Sequence, residues 1–401
     1  MCRAISPLLE MTNCISYPET FFPLCPFQRS PGKESLAIQP TIQGWSDAMT
    51  RSTHTAHPVP ADAKARAKRN ASTMSGPATV ISVALQRFAW FVLVYNVLVV
   101  LWGAAVRATG SGAGCGDHWP LCNGVMLPQS PQFHTIVEFT HRLMSGGSLL
   151  LVAVLLIWTW RSTVRGQLAR WASGTAMVLT LNEALLGALL VLLRLVAHNQ
   201  SSARGVYLSF HFANTLLLLG ALTLSAEFLT RPRSRATTSL RHGKMIFPTL
   251  GIVATLLVGV TGSLAALGDT LFPATSLAGA FHQDFSSTAS LLLRLRWIHP
   301  ASAMVAAAFI GWLLVQSFRN TAARRMRALG IAVVSTLTVQ ILLGTLDVLL
   351  LAPTWIQIVH LLGADVFWIC LVLLTADYCL VEKRHDQEKT AHNNSSLAVS
   401  T

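Results

Sequence analysis

Charge is what this sequence has least of. Only 12% of its 401 residues are Asp, Glu, Lys or Arg, and the acidic residues number 17 against 30 basic ones. A soluble domain carries roughly a quarter charged residues. With 52% hydrophobic residues and a positive mean hydropathy, this composition is that of a polytopic membrane protein. The net charge of +13 would suit nucleic acid, but Lys and Arg cluster in short segments between apolar runs. No basic stripe interleaved with aromatics is present, so nucleic acid is excluded as a partner and membrane topology accounts for the charge. Cysteine is also sparse, with seven in the chain. Cys2, Cys14 and Cys25 lie in the polar N-terminal stretch, and Cys370 and Cys379 in or near the last apolar run. Cys115 and Cys122 form the one close pair in a loop, where a disulfide requires an oxidising compartment. Residues 1–80 lack sustained periodicity and any apolar segment ending in a small-residue cleavage site. They read as a disordered or spurious N-terminal extension, with Met74 as an alternative start and the basic segment at 64–69 holding this end in the cytoplasm.

What the sequence has in abundance is long apolar runs. Eight of them, near 88–106, 137–160, 171–193, 205–228, 246–267, 297–318, 328–351 and 355–378, approach or exceed the ~20 residues that a helix needs to cross a hydrocarbon core. Backbone groups cannot stay unpaired in lipid, so the runs are helices. Basic residues mark one side: Arg161, Arg165 and Arg170 in the second loop; Arg231, Arg233, Arg235, Arg241 and Lys244 in the fourth; Arg319, Arg324, Arg325 and Arg327 in the sixth; Lys383 and Arg384 in the tail. By the positive-inside rule both termini are cytoplasmic, the membrane is of the bacterial inner type, and the loop holding Cys115 and Cys122 faces outward, where a disulfide persists. The expected fold class is an all-α polytopic membrane protein, with eight transmembrane helices as two pseudo-symmetric four-helix bundles.

That pseudo-symmetry comes from an internal repeat. G-A-A-V-R-A-T-G-S in the first run matches V-G-V-T-G-S in the fifth, and E-F-T-H-R in the second matches R-W-I-H-P in the sixth. N-E-A-L-L-G-A-L-L in the third matches V-Q-I-L-L-G-T-L-D in the seventh, and L-S-F-H in the fourth matches Q-I-V-H in the eighth. Both units begin inside, so the repeat is parallel. It divides the chain into an extension (1–80), an N-terminal bundle (81–235), a C-terminal bundle (236–384) and a flexible polar tail (385–401).

The repeat places His141, His211, His299 and His360 near the outer ends of helices two, four, six and eight. Imidazole pairs on facing helices, with apolar walls and no companion ligands at metal spacing, suit a haem iron. One such histidine alone reads as a structural hydrogen-bonder; four at equivalent places do not. Arg107, Arg142, Arg294 and Arg296 lie at the same ends and are candidates to hold haem propionates, against a plain reading as interfacial anchors. Glu138, three residues before His141, shares its helix face. The alternative reading of E-F-T-H-R is a snorkelling helix end with a capping Glu. Its counterpart position holds Arg296, so only the first half has a carboxylate to handle protons. Glu183 aligns with Gln340 and either pairs with another helix or serves protons; Asp347 and Asp365 are expected to make interhelical contacts. His118, His134, His198 and His282 are expected in outward loops as surface residues.

On R-A-T-G-S-G-A-G-C-G-D-H-W-P-L-C at 107–122, E-F-T-H-R at 138–142 and the four spaced histidines, the chain resembles the haem A synthase family over roughly 88–380. The resemblance implies oxidation of the C8 methyl of haem O to a formyl group through successive hydroxylations, water being the oxygen source. It further implies that His141 and His211 flank the substrate haem O, that His299 and His360 ligate a haem b relaying electrons, that Glu138 is the catalytic carboxylate, and that Cys115 and Cys122 form a disulfide or redox pair. Haem O, the haem O synthase that supplies it, membrane lipid, an electron acceptor that the sequence does not name and a second copy of the chain are the implied partners. A bis-His di-haem subunit oxidising quinol is the rival reading, though it gives Glu138 no task. A transporter is disfavoured because no Gly/Pro-broken helix pair occupies matching positions.

Overall fold

A long apolar run keeps its backbone groups paired in lipid only by coiling into a helix, and these runs do so throughout. The computed structural model describes residues 81–129, 131–233, 238–240, 246–318 and 324–382. The expected N-terminal extension with Met74, the tail, Arg235, Arg241, Lys244, Arg319, Lys383 and Arg384 lie outside the described residues. Helices α1 (Val83–Ala108), α2 (Phe133–Ser162), α3 (Leu168–Leu192), α4 (Ser202–Thr230), α5 (Ile246–Leu271), α6 (Leu277–Phe285), α7 (Leu291–Arg296), α8 (Ile298–Phe318), α9 (Arg324–Leu349) and α10 (Thr354–Cys379) follow in order. Strands β1 (Thr238–Leu240) and β2 (Leu380–Glu382) pair antiparallel. Among the described residues, eight segments are long and apolar enough to cross a membrane, with α7 and α8 joined as Leu291–Val315. The chain is a multi-pass membrane protein.

Local chemistry sets the boundaries. Ser82, Ser201, Ser276 and Ser290 cap α1, α4, α6 and α7, each side chain accepting from a backbone N–H three residues on. Pro300 has no N–H to give the carbonyl of Arg296 and its ring crowds that carbonyl, so the helix breaks at Trp297 between α7 and α8. Two expectations are corrected here. The stretch expected as the fifth loop folds into α6 and α7, because serine caps start two short helical turns there. α2 starts at Phe133, so His134 lies on its first turn and not in a loop, although it is exposed as expected.

The helices do not contribute equally to the core. In α4, 78% of the membrane window is buried, against 11–33% in the other seven. α4 packs against α1, α3, α5 and α10, so one helix is shared by the segments assigned to both bundles. Leu219, Leu222 and Leu229 of α4 meet Leu85 and Val92 of α1, Leu155 of α2 and Trp368 of α10 in the main core. Trp368, 2% exposed, donates its Nε1–H to the Leu216 carbonyl of α4 at 2.7 Å, so a buried polar atom is matched and not stranded. A smaller cluster joins α8, α9 and α10 through Ile310, Leu314, Val333, Phe367 and Leu371. At the end of the bundle where β1 meets β2, Arg325 bridges Glu227 and Asp377, and Arg233 also pairs with Asp377. Arg233 and Arg325 therefore do more than mark topology, since they tie α4, α9 and α10 together.

Candidate functional site

The α1–α2 connection is built to reach Glu138. Beyond α1, Gly110 takes a left-handed conformation (φ 66°) and the chain makes a 3-10 turn at Ser111–Ala113. Gly114 then passes so close to α2 that a Cβ on it would collide with the His134 carbonyl. Only glycine permits that approach. It lets the Gly114 carbonyl accept from Thr135 Oγ1 at 2.8 Å. Ser111 Oγ lies 2.9 Å from His134 Nδ1. Cys115 and Cys122 are bonded, with Cα atoms 4.4 Å apart. The Cys115 N–H donates to Glu138 Oε2 at 2.8 Å. From the same helix, Arg142 donates to Glu138 Oε1 through Nε (3.1 Å) and Nη2 (2.5 Å), and its Nη1 donates to the carbonyls of His118 (2.5 Å) and Leu121 (2.6 Å). Glu138 is 3% exposed. The loop with the cysteine pair is therefore a lid hydrogen-bonded to one buried carboxylate, and Arg142 fastens both.

The four histidines each lie in about the first third of their transmembrane segment, partly buried. His299 and His360 have ring centroids 6.4 Å apart and planes at 77°. Two imidazoles holding one metal at about 2.0–2.1 Å per nitrogen bring their centroids to about 6 Å, so the separation of this pair suits joint ligation of a single iron. His141 stands on α2 and His211 on α4, each against a glycine of the preceding transmembrane helix. Among the described residues no group of three or more His, Cys, Asp or Glu could hold a bare metal ion. A pair of imidazoles leaves four positions on an octahedral metal, which a porphyrin supplies. The donor set thus fits haem better than a lone ion.

Every histidine also meets a glycine of the transmembrane helix that precedes its own in the chain. A Cβ on Gly103 of α1 would lie 3.1 Å from His141 Cε1, on Gly187 of α3 3.8 Å from His211 Cε1, on Gly262 of α5 2.9 Å from His299 Cε1, and on Gly344 of α9 3.1 Å from His360 Cε1. This corrects the repeat register: Gly262 takes the place of Gly103, seven residues from the alignment of the two T-G-S triplets. Packing against the histidine, not triplet identity, decides which residues correspond. The glycines stood in the repeated stretches, but nothing in the sequence says what each one faces.

The position equivalent to Glu138 has the opposite polarity. Arg296, buried, donates from Nε and Nη2 to Asp284 Oδ1 (2.8 and 2.7 Å), from Nη1 to Asp269 Oδ1 and the Phe272 carbonyl (both 3.1 Å), and from Nη2 to Gln283 (3.2 Å). In the first half the helix brings the carboxylate and the loop brings donors; in the second the helix brings the donor and α6 brings a carboxylate. Arg107 crosses between segments, donating to the Ala266 carbonyl (2.5 Å) and Thr270 (2.6 Å) of α5 and to Gln357 of α10 (2.9 Å). Arg294 is exposed and donates to the Ser287 carbonyl at 3.2 Å.

Glu183 of α3 does reach another helix. Asn214 Nδ2 donates to Oε2 at 2.5 Å, Thr215 Oγ1 donates to Oε1, and Oε1 lies 3.4 Å from His211 Nδ1. That last contact is close enough for charge attraction but too poorly aligned for a hydrogen bond. The Gln340 Oε1 and the His360 Nδ1 are buried without hydrogen-bond partners. Asp365 is fully buried and neither of its oxygens is hydrogen-bonded, and Asp347 Oδ1 is likewise unmatched. His118, His198 and His282 are exposed, as expected.

A family model described as COX15-CtaA, cytochrome oxidase assembly protein, matches residues 86–372, which include the cysteine pair, Glu138 and all four histidines. The chain belongs to this family. A protoheme IX farnesyltransferase of Thermus thermophilus is 41% identical over 297 residues, covering 72% of this chain and 48% of the relative. A haem A synthase of Geobacillus kaustophilus is 35% identical over 185 residues (45% of this chain, 56% of the relative), and one of Bacillus licheniformis is 32% identical over 222 residues (51% and 70%). The chain spans about half the length of the Thermus relatives it matches.

Proposed function

We propose that this member of the COX15-CtaA family is a haem A synthase, oxidising the C8 methyl of haem O to a formyl group, with His141 and His211 flanking the substrate and His299 and His360 holding a haem b. The observation that carries the reading is asymmetry between two similar sites. One histidine pair has the buried, lid-clamped Glu138 a turn away; at the equivalent place the other has Arg296, neutralised by Asp284 and Asp269. A purely electron-transferring di-haem protein has no need of that difference. The named activity of the Geobacillus and Bacillus relatives supports the same reading, and the Thermus relatives' name fits a partner synthase that supplies haem O.

Converting a methyl to a formyl group with water as oxygen source releases four electrons and four protons, so the site must accept protons repeatedly. Each oxygen of Glu138 has two lone pairs. The backbone N–H groups of Cys115 and Gly114 face the carboxylate, and Oε2, the oxygen that Arg142 does not hold, is the one placed to receive a proton from water or methyl. Arg142 holds Oε1 and keeps the carboxylate from turning. The bonds from Arg142 to the lid and from the lid's Cys115 N–H to Glu138 keep bulk water off the reacting carbon. Haem b, when bound, supplies one-electron transfer towards an external acceptor. Of the four arginines expected near propionates, Arg294 has most of its donors uncommitted, whereas Arg107, Arg142 and Arg296 support the site by fixing helices and lid. The positive-inside pattern supports a bacterial-type inner membrane with the lid facing outward, where the Cys115–Cys122 disulfide is stable. The two-bundle division of the chain follows from the repeat and from this division of labour.

The test is pigment extraction from purified protein and from Glu138→Gln. Haem O or haem A beside haem B in the wild type, with haem O retained and haem A lost in the variant, is the expected result. Haem B alone in the wild type points to the electron-transfer rival, and haem A formation by Glu138→Gln refutes the role of the carboxylate.

A further inference from the structure

Four histidines on four helices could be positioned in many ways, yet each is positioned in the same one. In every case Cε1 is the ring atom that would lie nearest a Cβ placed on a glycine of the preceding transmembrane helix. Cε1 lies between the two ring nitrogens, so pressing it against a helix backbone fixes the direction of both. Carbon atoms pack optimally at about 3.5–4.0 Å. A Cβ at Gly103, Gly262 or Gly344 would come within 3.1, 2.9 and 3.1 Å of Cε1, and within 3.4 Å of Nε2 at both Gly103 and Gly262. At Gly187 the corresponding distance is 3.8 Å, an ordinary contact. Glycine is a poorer helix former than alanine, so helix stability is not what these residues supply.

We propose that Gly103, Gly262 and Gly344 are positioning residues that set the ring orientation of His141, His299 and His360 for axial coordination, while Gly187 leaves His211 slack. The slack falls on the one histidine that has a carboxylate behind it. Glu183 Oε1 stands 3.4 Å from His211 Nδ1, while Nδ1 of His141 and of His360 is buried with no hydrogen-bond partner. His299 Nδ1 has only the Thr261 hydroxyl at 3.3 Å. Three rings therefore stand close against a helix backbone, and the fourth, also without a hydrogen bond at Nδ1, has a carboxylate 3.4 Å away instead. The inference rests on the two-haem reading above.

Alanine at each position provides the test, read by haem stoichiometry and by the low-spin, bis-imidazole signature in optical and paramagnetic resonance spectra. Gly262→Ala and Gly344→Ala should each abolish the low-spin signal of the second site while the first site stays loaded, which makes the first site an internal measure of folding. Gly103→Ala should do the reverse, and Gly187→Ala should keep both signals. Gly174→Ala and Gly311→Ala, where a Cβ meets nothing within 4 Å, are silent controls. Wild-type spectra in Gly262→Ala and Gly344→Ala, equal damage from Gly187→Ala, or joint loss of both sites in any single variant overturns the proposal. Absence of two low-spin haems from the wild-type protein would instead defeat the functional reading, so the two failures are distinguishable.

Discussion

Arg142 offers the sharpest perturbation, because it ties the lid, the carboxylate and α2 in one side chain. In Arg142→Leu the helix keeps its length and the apolar stem is largely replaced. What is lost is two hydrogen bonds to Glu138 Oε1 and two to the lid carbonyls of His118 and Leu121. Glu138, 3% exposed, is left with backbone N–H groups of the lid, Cys115 at 2.8 Å and Gly114 beside it, as its remaining partners. Breaking a buried pair by removing one member costs about 3–5 kcal/mol, because the other charge remains unsolvated. The lid can relieve that cost by lifting and admitting water, so the loss should appear as local opening before global unfolding. Hydrogen exchange at the Cys115 amide and proteolysis within 115–129 measure it; both should accelerate on the order of 100-fold or more, since about 3 kcal/mol corresponds to two decades. The double variant Arg142→Leu/Glu138→Leu removes both charges and should recover much of the global stability, as replacing a whole buried pair does. Unchanged exchange at Cys115 in Arg142→Leu would refute the account of the lid.

Replacing Cys115 and Cys122 with serine opens a ring closed over a sequence separation of 7, and chain entropy for so short a loop gives about 2.5 kcal/mol. Lid exchange should rise while the absorbance of the His299–His360 haem is unchanged. Glu183→Gln keeps the shape but removes the charge behind His211; the redox potential of the first site should rise while that of the second stays constant, measured by spectroelectrochemistry. Trp368→Phe removes one buried hydrogen bond to the Leu216 carbonyl and should cost about 1 kcal/mol in a detergent melt, with haem content unaltered.

The contrast between the Glu138 lid and the Arg296 cluster shows where sequence reasoning reached its limit. E-F-T-H-R and R-W-I-H-P align by eye, so a carboxylate in one half facing an arginine in the other is legible from residues alone. That Asp284 and Asp269 come to Arg296 is not, because they sit 12 and 27 residues away and reach it only once α6 and α5 pack against α7. Asn214 and Thr215 gave no signal for the same reason: they matter through Glu183, which stands on a different helix. The T-G-S triplets misled because short identities recur by chance, whereas contact with a histidine ring does not.

Hydropathy, length and spacing along one chain are enough to carry the membrane class, the eight spans and the four spaced histidines. Only the tertiary structure decided which helix is the shared core, which glycine faces which imidazole, and how a buried glutamate is held by a loop that precedes it. Those outcomes depend on pairwise approach between helices, and a distance of 2.9 Å between a glycine and a ring has no counterpart in a linear pattern.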